Sequence, residues 1–139
     1  MTIRPFELTD TDAVIELWRQ CRLVVPWNDP GKDIARKLKV GADLFLVDER
    51  DAKIAGSVMG GYEGHRGWIN YLAVSPGYQR QGIGRALMAE VQRKLIDLGC
   101  PKINLQVRST NQAVIAFYEA LGFADDHALG MGKRLESDQ

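Results

Sequence analysis

Leu72-Ala73-Val74-Ser75-Pro76-Gly77-Tyr78-Gln79-Arg80-Gln81-Gly82-Ile83-Gly84-Arg85-Ala86-Leu87 decides the fold. An apolar run ends at Val74, a Pro/Gly turn follows, and a basic, glycine-bearing segment opens a long helix. The first turn of a helix has N–H groups without intrahelical partners and carries the positive end of the macrodipole, so an anion there gains hydrogen bonds and a favourable field. Gly82 and Gly84 remove side chains where a diphosphate has to approach the backbone. Gln79, Arg80, Gln81 and Arg85 add donors around the same point. The plain alternative is a glycine turn before an ordinary helix, with surface arginines in solvent. The whole string favours a pyrophosphate cradle.

Two other phosphate motifs do not fit. A dinucleotide fingerprint needs a third glycine where Leu87 stands, and no βαβ unit with a spaced acidic residue follows. A P-loop needs G-K-[ST], and Gly132-Lys133-Arg134 is the nearest approach.

Working outward, Ile3 to Phe6 reads as a short strand, and Asp10 precedes the helical stripe Ala13, Val14, Leu17, Trp18 and Cys21. Asp29-Pro30 is an N-cap followed by proline at the first helical position, so a second helix runs through Ile34 and Leu38. Strands are predicted over Leu44 to Glu49, Lys53 to Tyr62 and Trp68 to Val74. The long helix has Leu87, Val91, Leu95 and Leu98 on one face and stops at Gly99 and Pro101. Lys102 to Val107 reads as a strand, Asn111 to Leu121 as a helix closed by Gly122, and Ala128 to Leu135 as a final strand. Alternation of this kind builds a sheet with helices on its faces, an α/β arrangement.

The chain has 139 residues, near the usual size of one domain, with 18 basic and 18 acidic residues. A zero net charge gives no global field toward nucleic acid or an anionic membrane, so neither partner is expected. The start Met1-Thr2-Ile3-Arg4-Pro5 lacks the apolar core of a signal peptide, and no run approaches the roughly 20 apolar residues that span a bilayer. A cytoplasmic protein is expected. Cys21 and Cys100 are too few for a disulfide framework and lack metal-ligand spacing, so no metal is expected. Burial is the expected fate of Cys21, and neither thiol is read as a nucleophile.

Gln79-Arg80-Gln81-Gly82-Ile83-Gly84 resembles the Q/R-x-x-G-x-G/A signature of the GNAT superfamily of N-acetyltransferases. Downstream, Asn111-Gln112-Ala113-Val114-Ile115-Ala116-Phe117-Tyr118-Glu119-Ala120-Leu121-Gly122-Phe123 is similar to the family's second motif. The strings Pro26-Trp27-Asn28-Asp29-Pro30 and Gly60-Gly61-Tyr62-Glu63-Gly64-His65-Arg66-Gly67 resemble the small bacterial YpeA-type acetyltransferases. The resemblance implies one GNAT domain over residues 1–139, with a mixed, mostly antiparallel sheet whose strands Trp68 to Val74 and Lys102 to Val107 splay apart. It implies acetyl-CoA as co-substrate, its pyrophosphate on Gln79, Arg80, Gln81, Gly82, Ile83, Gly84 and Arg85. Its pantetheine arm would lie along the backbone of Leu72, Ala73 and Val74, with Asn111 and Tyr118 also at the coenzyme.

The chemistry implied is direct acetyl transfer from a thioester to a primary amine of a small molecule, amino acid or peptide N-terminus. An alkyl ammonium titrates near ~10.4 and must lose a proton, while the leaving thiolate, near ~8.5, is helped by a donor. Tyr118 is the candidate acid by motif position. No acid stands where relatives keep a base; Asn70, Tyr71 and Gln106 are there instead. Glu63, His65 or water relayed by backbone carbonyls are the alternatives; Glu63 is the candidate base, and His65 is also a candidate substrate contact. Trp27 and Asp29 admit two readings, a cation-binding acceptor wall or a packed ring beside a helix cap. Asn111 can cap its helix and touch the coenzyme at once. A non-catalytic acyl-CoA sensor is the alternative function, and either a monomer or a homodimer is compatible with the sequence.

Overall fold

The structure, a computed structural model, describes residues 2–139. Five strands, β1 (Thr2–Pro5), β2 (Phe45–Arg50), β3 (Lys53–Tyr62), β4 (Gly67–Val74) and β5 (Ile103–Leu105), form one sheet in chain order. The first four are antiparallel to their neighbours, and β4 and β5 are parallel. The parallel pair needs a crossover. The long helix α3 (Ile83–Asp97) supplies it, after the shorter α1 (Thr11–Gln20) and α2 (Pro30–Val40) and before α4 (Gln112–Ala120).

Side chains alternate across the sheet and so build two cores. One face buries Phe45, Val47, Met59 and Ala73 against Val14, Leu17 and Trp18 of α1 and Ile34 of α2. The other buries Leu44, Leu46, Val58 and Ile69 against Ile83, Leu87, Val91 and Leu95 of α3, with Tyr118 of α4 in the same cluster. Close approach of α3 depends on Gly56 and Gly60. A Cβ at Gly56 would lie 2.8 Å from Cγ2 of Ile83, and one at Gly60 only 2.5 Å from Cγ2 of Val91.

The expected caps are present. The Asp29 carboxylate accepts the Lys32 N–H at 3.0 Å with Pro30 in the first turn, and Asn111 accepts the Val114 N–H at 3.3 Å. Asp10 differs. It precedes α1 as anticipated, but its carboxylate accepts from the Arg4 guanidinium at 2.8 and 3.0 Å and from the Glu7 N–H at 2.8 Å instead of capping the helix.

Four expectations are corrected. Ala128 to Leu135 is not a strand; it makes no ladder, and Leu129, Met131 and Leu135 are exposed. An apolar alternation becomes a strand only where an edge pairs with it. The β5 ladder covers Ile103 to Leu105, not the whole of Lys102 to Val107, because pairing with β4 stops at Ile69 and Leu105. Leu98 lies past the end of α3 and is 58% exposed. Ala13 faces solvent, so the buried stripe of α1 is Val14, Leu17 and Trp18.

Candidate active site

Past the last pair, Ile69 with Leu105, β4 continues to Val74 without β5 beside it. β5 itself ends at Leu105, so that edge of β4 has no ladder partner along Leu72, Ala73 and Val74. A bulge sits at the same place. Ser57 pairs with Ala73 and Met59 with Asn70, so Tyr71 and Leu72 together oppose Val58. Tyr71 takes a left-handed φ of 51°. An extra residue of this kind re-aims the backbone and leaves polar groups outside the ladder.

Side chains from three elements hold the bulge. The Trp18 indole stacks on the Tyr71 ring with centroids 3.8 Å apart, and its N–H donates to Ser57 Oγ at 2.9 Å. Ser57 Oγ donates in turn to the Tyr71 carbonyl at 3.0 Å, and the Tyr71 hydroxyl donates to Asp33 Oδ2 at 2.7 Å. Sequence reasoning missed this group. No glycine marks the left-handed position, and only a buried Ser opposite a Trp and a Tyr hinted at it.

Beyond Val74, a single 3-10 turn (Pro76–Tyr78) leads to Gln79, Arg80, Gln81 and Gly82, with Arg80 and Gly82 both left-handed at φ 65° and 78°. α3 then begins at Ile83 with no side chain capping its N-terminus. A Cβ at Gly82 would meet nothing within 4 Å, whereas one at Gly84 would lie 3.3 Å from the Phe117 ring. Gly82 thus keeps the approach to the first-turn N–H groups open, and Gly84 lets α4 pack against α3. An uncapped N-terminus flanked by Arg80 and Arg85 fits a diphosphate in charge and in donors. A notch of about 150 Å³ adjoins it, lined by Arg85, Met88, Ala89, Gln92, Leu121 and Phe123.

Tyr118 lies on α4, the residue 9% exposed and its ring edge-on to Phe117 and Phe123 at centroid distances of 5.2 and 5.5 Å. Its hydroxyl makes no hydrogen bond among the described residues, and burial pushes its pKa up to about 12. The group is held protonated in the cluster against which Leu72 and Val74 also pack. Cys21 Sγ donates to the Val74 carbonyl at 3.2 Å, and burial raises its pKa.

Glu63 and His65 lie in the β3–β4 turn, at the end of β4 away from Val74. Leu72 is five residues further along β4 than Gly67, about 17 Å at ~3.3 Å per residue. Oε1 of Glu63 accepts the backbone N–H groups of Arg66 and His65, which hold its carboxyl below the usual range. The His65 ring is exposed and faces the Arg66 guanidinium at 3.4 Å.

The loop before α2 carries Trp27, 50% exposed and so outside the core, and Asp29, the α2 cap. Residues near the C-terminus cover its flank. The Asp138 carboxylate accepts the Asp29 N–H at 2.8 Å and Arg36 Nη2 at 2.6 Å, and Arg134 donates to Asn28. A hollow of about 530 Å³ lies between Arg36 and residues 132–136. Among the described residues no cluster of three or more His, Cys, Asp or Glu side chains has the arrangement of a metal site, and no helix is long and apolar enough to cross a membrane.

The Acetyltransferase (GNAT) family profile matches residues 11–123. An acetyltransferase of Sodalis glossinidius is 52% identical over 140 residues, covering 100% of this chain and 99% of that protein. One from Pectobacterium atrosepticum is 51% identical over 139 residues with the same coverage. Among solved structures, the ribosomal-protein-S18-alanine N-acetyltransferase of Escherichia coli superposes with a TM-score of 0.74 at 30% identity, over 87% of this chain and 76% of that one. With a sheet, a loop and a tyrosine arranged as described and relatives of this kind over its full length, the chain belongs to the acetyltransferase (GNAT) family and is an acetyl-transferring enzyme.

Proposed function

We propose that the protein transfers an acetyl group from acetyl-CoA directly to a primary amine, acting as one domain in the cytoplasm. The observation that carries this reading is the edge of β4 left without a ladder partner beyond Ile69, followed in the chain by a loop that leads into the uncapped N-terminus of α3. Bound acetyl-CoA supplies the acetyl group as an activated thioester. Backbone groups of Leu72, Ala73 and Val74 bind the pantetheine arm along the unpaired edge of β4. Gln79, Arg80, Gln81 and Arg85, with the N–H groups of Gly82, Ile83 and Gly84, bind the pyrophosphate. Asn111 caps α4 and so orients Tyr118.

Tyr118 holds a proton at its phenol oxygen and gives it to the leaving thiolate. The ring contacts fix its direction, and its raised pKa keeps it protonated across the neutral range. For the proton lost by the amine, Glu63 is the candidate acceptor, with His65 beside it; because both stand about 17 Å along β4 from Leu72, at ~3.3 Å per residue, the proton would have to pass through a relay of several waters. The acceptor enters along Trp27 and Asp29. A peptide N-terminus is one candidate class, since the S18-alanine enzyme is named for such an acceptor; small amines and amino acids are the others.

A non-catalytic acyl-CoA sensor would need the loop and β4 but not Tyr118. The turn hydrogen bonds that occupy Glu63 favour that second reading, and the unengaged Tyr118 hydroxyl favours catalysis. The test is calorimetric titration with acetyl-CoA against free CoA, ATP and NADH, followed by an amine panel scored for release of coenzyme thiol. One-site binding selective for the coenzyme with amine-dependent thiol release is expected. Binding without release from any amine would leave the sensor, and no binding would overturn the cradle.

A further inference from the structure

Asp48 is fully buried in β2, yet it is a carboxylate in a strand otherwise packed with Phe45, Leu46 and Val47. It pairs in register with Ile3 and Gly56 and shares a face with Leu46, so it lies on the α3 side beside the glycine that touches Ile83. Oδ1 accepts Arg50 Nε at 3.2 Å, and Oδ2 has no partner among the described residues. Burying a carboxylate with an unsatisfied oxygen is costly, and an apolar residue of similar size would pack here without that cost. The position calls for a role other than packing.

Arg50, two residues on and on the same face, leaves the end of β2 and donates from Nη1 to Gln81 Oε1 at 3.0 Å. The β2–β3 turn lies at the Val74 end of the sheet, since Ser75 N–H donates to the Ala55 carbonyl and Gly56 pairs with Val74. Gln81 sits between the left-handed Arg80 and Gly82. Among the described residues, no other side-chain hydrogen bond reaches residues 79–82. A loop with two left-handed residues in three is thus tied to the sheet through a single guanidinium, itself anchored on a buried carboxylate.

We propose that Arg50, anchored by Asp48, is a positioning residue for the coenzyme loop: it acts through Gln81 to hold residues 79–82 in the turn that presents the N–H groups of α3. This rests on the reading that the loop takes the coenzyme's pyrophosphate. Arg50 needs no contact with the coenzyme. The anchored guanidinium removes freedom from the loop before binding, and that ordering need not then be supplied by the ligand.

The test is acetyl-CoA affinity by calorimetry, with thermal unfolding alongside, in R50A, R50K, Q81A, the R50A/Q81A double variant and D48N, and with R85A as a loop control. R50A is expected to weaken acetyl-CoA binding about tenfold, the usual consequence of losing a hydrogen bond to a charged group. R50K is expected to recover part of the loss. The double variant is expected to bind no more weakly than the weaker single variant, because both substitutions cut one tether. D48N, nearly isosteric, is expected to weaken binding in a folded protein by loosening Arg50. A purely structural ion pair would lower the melting temperature without this overlap on affinity. Folded R50A binding within about twofold of the parent, or additive losses in the double variant, would overturn the proposal. If R85A weakens binding while R50A does not, only this inference fails; if neither does, the loop reading fails with it.

Discussion

Replacing Gly56 by alanine tests how closely packing and coenzyme binding are joined. The new Cβ would lie 2.8 Å from Cγ2 of Ile83, 3.0 Å from Cδ1 of Leu87 and 3.1 Å from the Ala73 carbonyl oxygen. Carbon atoms prefer about 3.5–4.0 Å, so a gap of roughly 0.7–1.2 Å has to open on the Ile83 side. Ala73 is backbone of β4 and cannot rotate away, so the first turn of α3 has to recoil. Overpacking of this order costs about 1–3 kcal/mol, a fall in melting temperature of about 3–9 °C at roughly 3 °C per kcal/mol for a chain of this size. The N–H groups of that turn are the proposed phosphate donors. Moving them by about 0.7 Å stretches a ~2.9 Å hydrogen bond beyond ~3.5 Å, where little of it is left. Losing one charge-assisted bond of about 1.5 kcal/mol lowers acetyl-CoA affinity about tenfold. Thermal unfolding and calorimetry measure the two effects together. Gly60→Ala is the control, because it strikes Val91, eight residues along α3 and about 12 Å from its start. That variant is expected to lose stability and keep affinity. A Gly56→Ala protein that melts lower but binds acetyl-CoA as the parent does would refute the link between the glycine and the cradle.

Tyr118→Phe is expected to lower turnover about a hundredfold, in the range of a lost general acid, with acetyl-CoA affinity nearly unchanged; unaltered thiol release removes Tyr118 from the mechanism. Because its pKa is raised to about 12, the stability tied to Tyr118 is full below the unfolded value near ~10 and falls as pH rises toward about 12. Comparison of the parent and Tyr118→Phe in urea at pH 9 and 11 reads that loss. Glu63→Gln is expected to shift the acidic limb of kcat/KM, a limb set below ~4.3 in the parent since its carboxyl pKa is lowered; an identical profile sinks the assignment. Arg4 holds the Asp10 carboxyl below its usual range, so its contribution is present above pH ~3.9 and is lost as pH falls. Asp10→Ala is expected to cost about 2 kcal/mol at pH 7 and much less at pH 2, read from urea midpoints; equal costs at both values would rule out the ion pair as the cause.

What the sequence disclosed follows from the range of each signal. Asp29-Pro30 and the glycines around Ile83 act within a few residues, so the start of α2 and the open N-terminus of α3 were legible. That Leu87, Val91 and Leu95 share the buried face of α3 followed from apolar spacing, whereas the order of the strands did not. The bulge did not, because Tyr71 takes its left-handed φ from the stack on Trp18 and the bond to Asp33, contacts reaching across 53 and 38 residues. Trp27 drew on the same ambiguity, since an aromatic in a Pro-bounded loop reads equally as core or as surface until the loop is placed. The alternation of Leu129, Met131 and Leu135 misled for the opposite reason: the local pattern is that of a strand, but no ladder partner meets it. The Asp48–Arg50–Gln81 tether was out of reach too, as nothing local tells a buried aspartate from a solvated one two residues before a turn.

The stack of Trp18 on Tyr71 also gives the protein an optical handle on its own chemistry. Of the three indoles, Trp18 has no exposed surface, whereas Trp27 and Trp68 are 50% and 38% exposed. An aqueous quencher such as iodide reaches the last two and leaves the first. The emission that survives quenching therefore comes from a ring in van der Waals contact with the β4 bulge, and any rearrangement of that strand on ligand binding is written into its intensity without a label.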